Sequence, residues 1–154
     1  PNCTLFKERL TSAIKNAHRS QTILGILVID IDNFKLINET FNHSIGDEML
    51  KIIARQLTKC IRENDTLARQ SGNEFTVILQ SLTSLPDAIS VVSKIIKLFK
   101  HPLEIGKYKL FTSVSIGISF YPADGNKSET LIKNAETAMH LAKDHGKNNY
   151  HVYT

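Results

Sequence analysis

Ala68-Arg69-Gln70-Ser71-Gly72-Asn73-Glu74-Phe75-Thr76-Val77-Ile78-Leu79 combines a turn signal with an apolar run. Residues 71–74 are typical of a β-turn, because glycine adopts positive φ freely and asparagine tolerates it. Residues 75–79 are apolar and rich in β-branched side chains, which favours a buried strand. The stretch therefore predicts a two-stranded hairpin whose tip carries one carboxylate, that of Glu74, beside the amide of Asn73.

Upstream of the hairpin, residues 23–29 predict a second strand that ends at two acids. This run is almost continuous isoleucine, leucine and valine, which is typical of a central strand covered on both faces. Asp30 and Asp32 follow it, at a strand end, where α/β sheets usually hold their ligands. On a neighbouring strand Glu74 would face Asp30, and carboxylates so placed suit a hard cation such as Mg²⁺.

Helices and further strands are predicted around these two elements. Helices are expected over 4–18, capped by Thr4, over 33–41, and from caps at Ser44, Ser84 and Ser128. A small hairpin is expected over 103–111, a half-buried strand over 114–120 and an edge strand over 150–153. This order predicts an α/β (α+β) fold in which helices flank a central mixed, largely antiparallel sheet of about five strands.

Composition narrows the possible functions. At 154 residues the chain is one domain, and its abrupt start at Pro1-Asn2 suggests a piece of a longer protein. Its charge of +4 is spread along the chain, which favours a solvated surface over nucleic-acid binding. Cys3 and Cys60 form no disulfide framework, so a cytoplasmic location is expected, although a parent protein could be membrane-anchored. No apolar run reaches membrane-spanning length.

Familiar catalytic motifs are missing from the sequence. It has no serine or cysteine paired with a base, no histidine pair with metal-ligand spacing, and neither GxxxxGK[ST] nor GxGxxG. What remains is a set of acids and amides. Taken singly, Asp47 is explained as a helix-start acid and Asn38 as a turn or cap residue, whereas Asp30 and Glu74 have no such simple explanation.

Three spaced segments resemble the GGDEF domain of diguanylate cyclases. They are Asp30-Ile31-Asp32-Asn33-Phe34-Lys35-Leu36-Ile37-Asn38, Phe41-Asn42-His43-Ser44-Ile45-Gly46-Asp47 and Arg69-Gln70-Ser71-Gly72-Asn73-Glu74-Phe75. The resemblance continues through residues 113–117, 135–139 and 142–148, and Pro1-Asn2 is similar to the tail of the domain's opening Leu-Pro-Asn segment. It implies a nucleotide-cyclase-like fold and the condensation of two GTP molecules into cyclic di-GMP across a dimer.

The resemblance implies a metal site at the ends of the two predicted strands. Asp30 matches the first metal-binding carboxylate of the family, and the main-chain carbonyl of Ile31 matches its backbone ligand. Glu74 matches the invariant acid of the signature, with a catalytic and metal-binding role. Mg²⁺ or Mn²⁺ is accordingly the expected cofactor when nucleotide is bound.

The resemblance also implies a nucleotide site. Asn38 and Asp47 match the pair that hydrogen-bonds the guanine edge, where an acid accepts and an amide both donates and accepts. Lys35, Lys143 and Lys147 match positions whose cations hold the phosphates. Lys147 stands where the family commonly has arginine, so the charge is kept and the bidentate fork is lost.

Departures from the family pattern fall on the hairpin. Ser71 replaces the first glycine of the signature, where the backbone of Ser71 and Gly72 should pass close to GTP, and serine is small enough to be tolerated. Asn73 replaces an acid that binds metal and is implicated in activating the attacking 3′-hydroxyl. Asparagine is no base at neutral pH, and losing one such contribution costs on the order of a hundredfold in rate. Weak or absent cyclase activity is predicted, with GTP binding retained.

A second nucleotide site is implied by Arg62-Glu63-Asn64-Asp65. Five residues separate this RxxD sequence from Ser71, which is the spacing of the family's inhibitory site for cyclic di-GMP. Arginine can fork onto guanine or phosphate, and aspartate can accept from a guanine edge. The alternative is a surface pair at a helix end, worth under about 1 kcal/mol.

The sequence leaves three alternative functions for this domain. The first is a regulatory domain that binds GTP or cyclic di-GMP and signals to an attached EAL phosphodiesterase or sensor domain. The second is an active Mg²⁺-dependent diguanylate cyclase that tolerates Asn73. The third is a dimerisation scaffold that binds no nucleotide.

Overall fold

A computed structural model describes residues 3–154, so the segment Pro1-Asn2 lies outside the described residues. The side chains of Cys3 and Ser71 also lie outside the description. The elements, in chain order, are α1 (Cys3–Ser20), β1 (Ile23–Ile31), α2 (Phe34–Thr40), α3 (His43–Cys60), β2 (Thr66–Ser71), β3 (Glu74–Leu82), α4 (Leu85–Leu98), β4 (Leu103–Ile105), β5 (Tyr108–Leu110), β6 (Val114–Tyr121), α5 (Ser128–Asp144) and β7 (Asn149–Val152).

One five-stranded mixed sheet, in the order β2-β3-β1-β6-β7, forms the centre of the fold. β2, β3, β1 and β6 pair antiparallel in that order, and the edge strand β7 pairs parallel with β6. β4 and β5 form a separate two-stranded hairpin. The predicted α+β fold with a largely antiparallel five-stranded sheet is confirmed.

Helices cover both faces of the sheet, because side chains on each strand alternate between the faces. On one face Leu27, Ile29 and Ile31 of β1 belong to a core with α2, α3, α4 and the β4–β5 hairpin. On the other face Ile26 and Val28 belong to a core with α1 and α5. The nearly continuous apolar run of β1 is therefore explained by burial on both sides.

The prediction that residues 114–120 form a half-buried strand is wrong, because every residue of β6 is buried. α5 covers the face on which serine and glycine recur. A Cβ at Gly117 would overlap the main chain of α5 at Ala135 and Met139. The Ser119 hydroxyl donates to the carbonyl of Leu131 at 2.7 Å. These small residues allow a helix to approach closely, and they do not mark a solvent-facing side.

Several predicted helix starts are displaced by a residue or two. α3 begins at His43, and Asn42 caps it by accepting from the Ile45 amide at 2.9 Å, so Ser44 is not the cap. The cap position of α5 is Lys127, and Ser128 is already helical. Thr4 likewise lies inside α1. Ser84 does occupy the cap position of α4, without a side-chain hydrogen bond.

Within residues 3–154 no helix is long and apolar enough to cross a membrane.

Candidate functional site

Asp30 and Glu74 lie directly opposite each other on neighbouring strands. They are Cα partners in the antiparallel register of β1 and β3, as the sequence predicted. Asp30 lies within β1, one residue before its end, and Glu74 is the first residue of β3. The β2–β3 turn therefore brings its polar tip to the end of the central strand.

Asn73 bridges the turn to this strand end through both its main chain and its side chain. Its carbonyl accepts from the Ile31 amide at 3.1 Å. Its side-chain Nδ2 donates to Asp30 Oδ1 at 3.1 Å and to the Ile31 carbonyl at 3.0 Å. The amino end of the amide, and not its oxygen, therefore faces the two groups that the family resemblance assigns to metal.

Lys143 completes the surroundings of Asp30. Its ammonium forms an ion pair with Asp30 Oδ2, and the side chains of Asp30 and Lys143 are 8% and 30% exposed. α5 carries Lys143 and packs against β6 and β1, which delivers the cation to the end of β1. The negative charge of Asp30 is thus compensated by one cation and one amide donor.

Glu74 is half-buried, and burial is the largest cause that raises its pKa above the ordinary glutamate value. The negative charges of Glu136 and Asp30 raise this pKa further, while His140 and Lys143 oppose the shift. The ionised form of Glu74 is therefore disfavoured here, and a nearby positive charge would stabilise it.

Asp32, which the sequence placed beside Asp30 at a possible ligand site, is a buried structural anchor. Its side chain, in a residue only 1% exposed, accepts from the Ser115 hydroxyl at 2.7 Å, the Ser113 hydroxyl at 2.5 Å and the Asn148 amide at 3.1 Å. These bonds tie β1 to the start of β6 and to the turn after α5. A buried carboxylate with three donors needs no metal or substrate to explain it.

The same turn positions Lys147. This residue has a φ of 63°, and its ammonium donates to Asn33 Oδ1 at 3.1 Å. Lys35 is exposed in the first turn of α2, the helix that begins directly after Asn33. The predicted phosphate-binding lysines Lys35 and Lys147 therefore lie on segments that adjoin the end of β1, and their role stays a prediction.

The predicted guanine pair, Asn38 and Asp47, lies on two successive helices. Asn38 Oδ1, in α2, is buried and has no hydrogen-bond partner. A Cβ at Gly46, in α3, would overlap that oxygen, so Gly46 permits the two helices to come close. Asp47 follows Gly46 and is exposed. An unpaired buried acceptor suits an incoming N–H donor, which a guanine edge supplies.

The tip of the hairpin is open. Gly72 has a φ of 41° and nothing within 4 Å of where its Cβ would stand. The main chain of Ser71 pairs with that of Glu74 in the β2–β3 ladder. Space is therefore available for a ligand to approach the backbone at Gly72, and the nucleotide-binding role of Ser71 and Gly72 stays a prediction.

Arg62 and Asp65 form a tight connection between the end of α3 and β3. Asp65, whose side chain is 1% exposed, accepts from the main-chain amides of Arg62 at 2.9 Å and Gln80 at 3.0 Å. The Arg62 guanidinium donates to the Gln80 carbonyl and remains largely exposed. Asp65 therefore has a structural role in this turn, and Arg62 is the member of the pair that is open to a ligand.

Oxygen atoms at the end of β1 fit a hard cation in type. The carboxylates of Asp30 and Glu74 and the Ile31 carbonyl are ligands that Mg²⁺ and Mn²⁺ accept. In the described part of the chain no three acidic, histidine or cysteine side chains cluster as a metal site. A cation bound there would bridge and neutralise phosphate oxygens.

Comparison with known proteins places this site in a family. The family model described as "Diguanylate cyclase, GGDEF domain" matches residues 1–149. The chain belongs to the GGDEF domain family, and its place is in cyclic di-GMP signalling. Diguanylate cyclases of this family are generally Mg²⁺-dependent.

Relatives of the chain are named as diguanylate cyclases, as cyclic di-GMP phosphodiesterases or as both. It is 36% identical to the bifunctional diguanylate cyclase/cyclic di-GMP phosphodiesterase MucR of Pseudomonas aeruginosa, over 97% of this chain and 22% of MucR. It is 32% identical to the cyclic di-GMP phosphodiesterase PdeR of Escherichia coli, over 100% of this chain and 23% of PdeR. The chain therefore spans under a quarter of the length of these relatives.

A solved structure has nearly the same backbone. The GGDEF domain of TpbB (YfiN) from Pseudomonas aeruginosa superposes with a TM-score of 0.98 at 34% identity, covering 100% of this chain and 90% of that one. The fold of this chain is therefore that of GGDEF domains, as the resemblance predicted.

Proposed function

We propose that this chain is a regulatory GGDEF domain that binds GTP or cyclic di-GMP and has weak or no cyclase activity. The observation that carries the proposal is the Asn73 amide, which donates hydrogen bonds to Asp30 and to the Ile31 carbonyl. An aspartate or glutamate at this position would accept a proton or ligate a metal. The amide takes up no proton at neutral pH and offers only one neutral, weaker oxygen ligand, and the loss amounts to about a hundredfold or more in rate.

Retained nucleotide binding is supported by groups away from Asn73. The unpaired oxygen of Asn38 is available to a guanine donor. Lys35 and Lys147 are exposed near the end of β1, where they can attract a triphosphate. Mg²⁺ or Mn²⁺ would be held by Asp30, the Ile31 carbonyl and Glu74 once nucleotide is bound.

The domain would act within a larger protein. We propose residues 1–154 as a single GGDEF-type domain of a multidomain signalling protein in the cytoplasm, with a homodimer and an EAL phosphodiesterase or sensor domain as partners. Support comes from MucR and PdeR, because each is named for phosphodiesterase activity and is more than four times as long as the matched region.

Incubation of the chain with GTP and Mg²⁺, followed by chromatography for cyclic di-GMP, tests the proposal. Little or no product is expected from wild type, and Asn73→Asp is expected to increase the yield at least tenfold. Calorimetry with 3′-deoxy-GTP, which cannot react through a 3′-hydroxyl, measures binding separately. Robust wild-type turnover contradicts the regulatory assignment, and absence of any nucleotide binding supports the scaffold instead.

An active Mg²⁺-dependent cyclase is the second candidate. It is favoured by TpbB of Pseudomonas aeruginosa, a protein named as a diguanylate cyclase that is 36% identical over 93% of this chain. The presence of Asp30, Glu74 and Lys143 at the same strand end also favours it. This candidate requires turnover without an acid at position 73.

Cyclic di-GMP binding at Arg62 and Asp65 is a further part of the proposal. The exposed guanidinium of Arg62 supports it, whereas the two main-chain hydrogen bonds that Asp65 accepts give this carboxylate a role in the turn as well. Calorimetry with cyclic di-GMP on wild type and Arg62→Ala tests it, and heat that persists in the variant contradicts the assignment.

A further inference from the structure

The side-chain amino group of Asn73 donates hydrogen bonds to two of the oxygens at the end of β1 that could bind a metal. The Asn73 Nδ2 lies 3.1 Å from Asp30 Oδ1 and 3.0 Å from the Ile31 carbonyl oxygen. A carboxamide carries two N–H donors, one for each of these acceptors. The position between the two oxygens, where a cation would bind them together, is therefore taken by the nitrogen of the chain's own side chain.

The remaining oxygen of Asp30 also has a partner. Lys143 pairs with Oδ2, and the Asp30 side chain is 8% exposed. A cation that binds Asp30 must therefore compete with both an amide and an ammonium, in a place where water compensates little for lost contacts. The carboxylate is stable without an added ion.

Turning the Asn73 amide over is unfavourable as long as no cation is bound. Its Oδ1 would then face Asp30 Oδ1 and the Ile31 carbonyl, so that three acceptors point at one another. That arrangement is repulsive unless a cation lies among them. Cation entry is therefore coupled to rotation of this amide and to the loss of both hydrogen bonds.

We propose that the Asn73 amide acts as a built-in substitute for a divalent cation and lowers the affinity of the Asp30–Ile31 site for one. The proposal deepens the function proposed above and rests on its assignment of this strand end as the nucleotide site. Losing two competing hydrogen bonds, one of them to a carboxylate, corresponds to at least about a tenfold change in cation affinity. The chain is thus inhibited from binding metal by the same residue that replaces the signature acid.

Titration with Mn²⁺, followed by the electron paramagnetic resonance signal of the free ion, tests this on the chain without nucleotide. Asn73→Ala and Asn73→Gly both remove the amide, and glycine suits a turn position. Each is expected to bind Mn²⁺ at least about tenfold more tightly than wild type, although neither adds an oxygen ligand. An asparagine that serves as a ligand through Oδ1 predicts the opposite order.

Controls assign the effect to this site. The Asp30→Asn substitution, combined with Asn73→Ala, is expected to abolish the gain, and circular dichroism checks that each variant is folded. Equal or weaker Mn²⁺ binding by both amide-free variants overturns the proposal, as does a gain that survives Asp30→Asn. Because no nucleotide is present, failure to bind GTP would contradict the proposed function without altering this result.

Discussion

Replacing Asp32 by asparagine should destabilise the domain measurably while preserving its shape. The carboxylate accepts three hydrogen bonds, from the hydroxyls of Ser113 and Ser115 and from the main-chain amide of Asn148. In the best orientation, the oxygen of the new amide still accepts hydrogen bonds from the Ser113 hydroxyl and the Asn148 main-chain amide. The Ser115 hydroxyl turns to accept a hydrogen bond from the new amino group. All three pairings are then kept, but the charge is lost and the buried Ser115 hydroxyl proton loses its acceptor.

The magnitude follows from the difference between charged and neutral hydrogen bonds. A bond to an ionised group contributes about 1.5–3 kcal/mol and a neutral one about 1 kcal/mol, so each bond loses at least about 0.5 kcal/mol and the three together at least about 1.5 kcal/mol. Asp32→Ala removes the acceptors altogether and leaves donors unsatisfied in a site that is 1% exposed, which should cost roughly 4 kcal/mol or more. The expected order of stability is wild type, then Asp32→Asn, then Asp32→Ala.

Urea unfolding at neutral pH measures these free energies. Asp144→Asn, an exposed acid at the end of α5, is the matched control and should change stability by no more than about 0.5 kcal/mol. The two variants should also weaken binding of 3′-deoxy-GTP, since the turn that presents Lys147 would lose its anchor. A loss below about 1 kcal/mol in both variants would refute the assignment of Asp32 as an anchor.

Three further predictions concern separate parts of the site. Gly46→Ala places a methyl group against Asn38 Oδ1, and we expect weaker binding of 3′-deoxy-GTP by calorimetry with little change in circular dichroism; unchanged affinity would contradict the guanine role. The pKa of Glu74 is raised in the folded state, so its ionisation costs stability as pH rises through that pKa. Glu74→Gln should therefore be more stable than wild type at neutral pH, with the advantage lost below the ordinary value of 4.5, and urea unfolding at several pH values checks this. Asp65→Ala should destabilise the fold by about 2 kcal/mol because two main-chain amides lose their acceptor, whereas Arg62→Ala should cost under about 1 kcal/mol, and equal costs in urea unfolding would refute this division of roles.

Asn73 illustrates how far sequence reasoning reached at the site. Its identity and its place in the hairpin followed from the sequence, and the expected loss of a base followed from the chemistry of an amide. The sequence suggested one weak carbonyl ligand at this position. The structure instead presents the amino end to Asp30 and Ile31, because those two acceptors leave room only for a donor in the absence of a cation.

β6 illustrates an error of pattern reading. Alternation of serine and glycine with apolar residues ordinarily indicates one wet face, and here it indicates a helix packed at very short range. The alternation reports which side chains are small and polar, and it does not report what lies above them. The approach of α5 at Gly117 and the bond from Ser119 depend on a helix that follows later in the chain.

The sequence by itself determined the order of helices and strands and the central position of β1, and it only suggested that Asp30 and Glu74 could face each other. Each of these depends on periodicity or on turn residues, which act over a few neighbours in the chain. Only the tertiary structure decided that Lys143 pairs with Asp30, that Asp32 is an anchor and that Asn38 keeps an unpaired oxygen. Those contacts join residues that are distant in sequence or lie on different helices, and their geometry is set by how the helices pack on the sheet.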